Sequence, residues 1–79
     1  MITPSKPLTN KGQIMKFIMR FDMNNAAFED NPAREVARIL YAAAQAIESA
    51  DSVPEYFTNV RDENGNVVGA YAAKPDDYK

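Results

Sequence analysis

The dipeptide Asn64-Gly65 lies between two β-favouring runs, Tyr56 to Arg61 and Val67 to Ala73. Asparagine and glycine tolerate the left-handed backbone that tight hairpins need, so this placement predicts an antiparallel β-hairpin. Two registers satisfy it. A two-residue turn at Asn64-Gly65 pairs Val60 with Gly69. A three-residue loop, with Gly65 left-handed in a bulge and Asp62 opening a type I turn, pairs Val60 with Val68. The second puts Val60, Val68, Ala70 and Ala72 on one face as a coherent apolar side, and is preferred.

A hairpin cannot bury its apolar face alone, and the rest of the chain supplies the cover. Residues 14–22 alternate, with Met15, Phe17, Met19 and Phe21 on one side and Lys16, Ile18 and Arg20 on the other, which is the period of a strand. Asn31 followed by Pro32 reads as a helix N-cap with proline at the first helical position, and Asp51, Ser52 and Pro54 read as its stop. Between them Val36, Ile39, Leu40, Ala43, Ala46, Ile47 and Ala50 recur at spacings of three and four, one apolar stripe of a helix over residues 32–50. The fold class is therefore α+β: a β-α-β-β chain, a three-stranded antiparallel sheet in order 1-3-2, and one helix packed on one face. The expected core joins Phe17, Met19, Val36, Leu40, Ile47, Val60 and Val68. Residues 1–13, with Pro4, Pro7 and Gly12, read as an extended N-terminal arm, residues 14–73 as the single domain, and residues 74–79 as a C-terminal tail.

The chain has 79 residues, no cysteine and no histidine. A domain of this size buries only about 60–65% of its unfolded surface. Disulfides, the usual zinc sites, thiol nucleophiles and imidazole bases are all excluded. Association with a partner is the stabilising device left open. The N-terminal residues show no apolar core of a signal peptide, and no run approaches a membrane span, so a cytoplasmic, membrane-free protein is expected.

Motifs that could carry chemistry fail on spacing. Asp62-x-Asn64-x-Asn66 opens like a calcium loop, but Val67 and Ala73 occupy the positions that require glycine and an acid. The neighbours Glu29-Asp30 and Asp76-Asp77 read as solvated loop charges rather than an acid–base pair, which needs a cleft with two unlike environments. No serine or threonine has a base to activate it, and the three glycines form no phosphate cradle. Neither an enzyme nor a cofactor or metal site is expected. The alanine-rich stretch Tyr41 to Ala46 reads as a strong helix former.

Charge is more informative in its distribution than in its sum of −2. The first twenty residues carry +4 from Lys6, Lys11, Lys16 and Arg20, and the remainder −6. In the preferred register the uncovered sheet face carries Ile18, Phe57, Val67 and Tyr71 beside Lys16, Arg20 and Arg61. Apolar and arginine side chains grouped in the open mark a contact surface. The candidate partner-binding residues are thus Ile18, Arg20, Phe57, Arg61, Val67 and Tyr71, facing a host or self protein, with a homodimer as one form. A basic and aromatic sheet face also suits single-stranded nucleic acid, but the negative body weighs against it.

Three blocks carry a resemblance: Met15-Lys16-Phe17 through Phe21-Asp22 and Asn25-Ala26-Ala27-Phe28; Glu35-Val36-Ala37-Arg38-Ile39-Leu40; and Arg61-Asp62-x-Asn64-Gly65-Asn66-x-Val68-Gly69. Together they resemble a set of very small phage, prophage and plasmid proteins with no established activity, over residues 15–71. The linker 51–55 departs from that set, where a glycine-rich turn is usual. The resemblance implies a protein of a mobile element that binds a host protein, of which anti-defence inhibitors such as anti-CRISPR proteins are an example. It carries no catalytic residue across.

Overall fold

A computed structural model describes residues 14–78. The arm expected at residues 1–13 lies outside the described residues.

Three strands and one long helix follow the expected order: β1 (Met15–Phe21), α1 (Pro32–Ala50), β2 (Thr58–Arg61) and β3 (Val67–Pro75). The sheet order is β1-β3-β2, and both pairings are antiparallel. The last strand therefore enters between the first two, the order preferred from the sequence.

The ends of α1 are those read from the sequence. Asn31 accepts the Arg34 N–H at 3.1 Å, satisfying one of the helix's orphan donors, and Pro32 occupies a position where an N–H would have had no partner. At the other end Asp51 takes a left-handed conformation, φ 55°, and closes the last turn on the Glu48 carbonyl. A short 3-10 turn at Ala26–Phe28, unmarked by any capping signal, was not expected. It sinks Phe28 into the core, where its ring lies 6.3 Å from that of Phe21.

The hairpin loop is the expected three-residue form. The Gly65 N–H donates to the Asp62 carbonyl, the Asp62 N–H to the Asn66 carbonyl, and Gly65 has φ +87°. The register then departs from expectation. Arg61 pairs with Val67, but Val60 pairs with Gly69, so Val68 is an extra residue in a β-bulge on β3. A bulge of one residue reverses the faces of everything beyond it. Val68 still points inward beside Val60, but Tyr71 and Ala73 now face the helix, and Ala70 and Ala72 take the other side. Gly69 explains the position of the bulge: a Cβ there would collide with the Arg20 carbonyl oxygen and the Phe21 backbone. β3 can approach β1 this closely only with glycine at that point.

The core consists of Phe28, Ile39, Ala43, Val60, Val68 and Tyr71, with Met19, Phe21, Ala27, Val36 and Ile47 packed against it. Two expected members are not buried: Leu40 is 49% exposed and Phe17 is 52% exposed. The cause is the roll of the helix. Glu35 is buried and receives Arg38 through both oxygens, at 2.7 and 2.9 Å, and the Glu63 N–H at 2.8 Å. Arg38 also donates to the Arg61 carbonyl. These bonds pull one flank of α1 onto the hairpin. Leu40, about 100° round the helix from Ile39, turns to the opposite flank. The helix is seated over β2 and the 3-10 turn, so the helix-side face of β1 near Phe17 is left partly open.

Candidate binding surface

Alternation along the strands sends Lys16, Ile18 and Arg20 from β1, Ala70, Ala72 and Lys74 from β3, and Asn59 and Arg61 from β2 to the face away from α1. None of the residues in β1, β2 and β3 is acidic, while four are basic. The acids lie in α1, the loops and the C-terminal segment. A chain of net charge −2 therefore presents one cationic sheet face.

That face has two accessible ends around a closed centre. Ala72 is fully buried and Ile18 half-buried at the middle. At the hairpin end stand Arg20, Arg61 and Val67, all exposed, with Arg61 donating to the Gly65 carbonyl at 2.9 Å. At the other end Lys74 sits among three rings, its Nζ 5.1 Å from Phe57, 5.3 Å from Tyr78 and 5.8 Å from Tyr56. Each contact is within cation–π range. Phe57 and Tyr78 are themselves 6.0 Å apart, and Lys16 reaches the Tyr78 carbonyl at 2.8 Å. β3 continues to Pro75, beyond the end expected at Ala73. The segment read as tail returns through a bond from the Asp76 N–H to the Ile14 carbonyl.

Of the six expected contact residues, five lie on or beside this face: Ile18, Arg20, Phe57, Arg61 and Val67. Tyr71 does not. It is 4% exposed, packed in the core with its ring 5.9 Å from that of Phe17, because the bulge at Val68 reverses its face. Tyr56, Lys74 and Tyr78 were missed. Their grouping depends on the linker and the C-terminal segment meeting over β3, which no local pattern announces.

The two buried acids, Glu35 and Asp62, were also missed, and both are structural. Hydrogen bonds from Arg38 hold the Glu35 carboxyl below its ordinary 4.5 despite burial, with the Glu63 N–H adding to the effect. Burial pushes the Asp62 carboxyl up, but donors from Asn25, Asn66 and Asn64 outweigh it and leave it below 3.8. A general acid needs the opposite shift. Every buried side-chain nitrogen and oxygen among the described residues has a partner. No group of three metal-ligating side chains occurs among them, and no helix there is long and apolar enough to cross a membrane. A cleft of about 360 Å³ beside the start of α1 mixes Arg34 and Arg38 with Asp30, Glu35 and Glu63. Its charges answer one another, whereas the charges within the three strands are all basic.

Compared with known protein families, curated proteins and solved structures, the chain matches none.

Proposed function

We propose that the protein is a non-enzymatic binding module whose open sheet face docks on an acidic surface of another protein. The supporting observation is the segregation of charge: Lys16, Arg20, Arg61 and Lys74 on one face, with no acid in any strand. Val67 adds apolar contact beside the arginines and Phe57 beside Lys74, apolar and cationic groups together as in a binding hot spot. Self-association through this face would oppose four cations to four cations, so the partner is a different protein. The mobile-element context suggested by the sequence blocks makes a host defence protein one such partner.

The test is capture from a host lysate by the full chain and by an Arg20→Glu, Arg61→Glu variant, each with and without nuclease. The reading expects a stoichiometric protein that the wild type retains in the presence of nuclease and the variant releases. Retention that ignores the charge reversal would refute it.

A second reading rests on Tyr56, Phe57 and Tyr78 beside Lys74 and Lys16. Rings next to cations are what single-stranded nucleic acid stacks on. Binding of a thymidine oligonucleotide that weakens steeply with salt, and that Phe57→Ser abolishes, would favour it.

A further inference from the structure

The seating of α1 over β2 leaves an apolar trough on the other side of the helix. It has a volume of about 370 Å³ and is lined by Met15, Lys16 and Phe17 of β1, Ala73 of β3, Ile47 of α1, and Val53 just beyond it. Leu40 lies two turns before Ile47 on the same helix flank and is half exposed. Large apolar groups open to water on both sides of a groove are a liability that a partner relieves.

The wall of this trough is an edge strand. β1 has β3 on one side, and no described strand pairs on the other. The ladder fixes which backbone groups face that open side. The Asp22 N–H donates to the Val68 carbonyl and the Asp76 N–H to the Ile14 carbonyl, so even-numbered residues of β1 form the hydrogen-bonded pairs with β3. The N–H and C=O groups of Phe17, Met19 and Phe21 therefore point outward. A strand laid along this edge finds donors and acceptors at Phe17, Met19 and Phe21. One set of its side chains enters the trough, and the alternate set falls beside Lys16 and Arg20 on the cationic face.

We infer that the β1 edge binds an extended segment of a partner protein in which acidic and apolar residues alternate. This deepens the binding reading above and rests on it: the acids meet Lys16 and Arg20, the apolar residues fill the trough, and the main chain adds a fourth strand. Charge selects this occupant. A second copy of β1 would bring two more cations to the same face and, in the register centred on Ile18, set Lys16 against Arg20. Residues 1–13 carry Lys6 and Lys11 and no acid, so their charge does not complement the edge either.

The experiment uses the full chain and two labelled seven-residue peptides, one alternating valine with glutamate and one alternating valine with lysine. The glutamate peptide is expected to bind at least about tenfold more tightly, and to slow hydrogen exchange of the Phe17, Met19 and Phe21 amides. Phe17→Pro removes one outward donor where an edge strand tolerates proline, and is expected to weaken binding about tenfold while leaving the circular-dichroism spectrum unchanged. Equal affinity for the two peptides, no binding of either, or unchanged exchange at the three amides overturns the inference. So does a stable dimer in light scattering with those amides already protected. The exchange measurement needs no variant, so it decides the matter even where Phe17→Pro fails to fold. Capture of a partner that Arg61→Glu loses but Phe17→Pro keeps overturns strand addition alone and leaves the open-face reading standing.

Discussion

Two glycines in the hairpin do different work. Gly65 supplies a left-handed backbone, φ +87°, with open space around the missing side chain. Gly65→Ala is expected to cost about 1 kcal/mol, read from urea unfolding. Gly69 supplies absence of volume, since a Cβ there runs into the backbone of β1. Gly69→Ala is expected to cost at least about 2 kcal/mol, because backbone, not a flexible side chain, must move. Equal costs would contradict the close approach. A second pair separates the true core from its neighbour. Ile39, 2% exposed, should lose about 2–5 kcal/mol on truncation to alanine, enough to unfold so small a domain. Leu40→Ala, at a half-exposed site, should lose about 1 kcal/mol or less. Thermal melts of the two variants check this, and a costlier Leu40 would mean that α1 is rolled the other way.

The helix was legible because its ends are chemical: an asparagine cap, a proline at the first position, and an aspartate at the stop act locally and need no tertiary partner. The loop was legible for the same reason, since only glycine fits where Gly65 sits. The bulge at Val68 was not. Val67, Val68 and Gly69 fit either strand parity, and the choice is made by how near Gly69 comes to β1, a contact between residues far apart in the chain. That one shift moved Tyr71 from the expected surface into the core. The roll of α1 was hidden similarly, because a Glu35-x-x-Arg38 pair reads as an exposed helix pair until the Glu63 N–H buries it. This network has a pH signature. Glu35 and Asp62 titrate below their unfolded values of 4.5 and 3.8 in the folded chain, so the unfolded chain takes up protons first. Their contribution is present above about pH 4.5 and falls away as the pH drops through the folded values. Asp62→Asn should therefore melt below the wild type at pH 7, with the gap closing as the pH falls under 3.8. A gap independent of pH would show that the charge of Asp62 does not hold the hairpin.

At the scale of the molecule, the sequence showed a basic first quarter and an acidic remainder, and folding rearranges that split. Lys16 and Arg20 join Arg61 and Lys74 from the acidic part, so the sign of a face is set by strand alternation rather than by chain position. Five of the six residues expected on the open face lie on or beside it, because β1 alternates cleanly and Arg61 and Val67 lie between the turn and the bulge. The aromatic group around Lys74 could not, since three separate segments build it. Charge segregated in this way acts at a distance of about a Debye length, 8–10 Å near physiological salt, so the face should attract anionic groups before any contact forms. Titration of a nitrogen-15-labelled sample with a glutamate-rich peptide tests this most directly. Amide shifts should cluster at Lys16, Arg20, Arg61, Val67 and Lys74 and fade as sodium chloride rises from about 0.05 to 0.5 M. Shifts centred instead on Arg34 and Arg38 of α1, or no shifts at low salt, would contradict the assignment of this face as the binding surface.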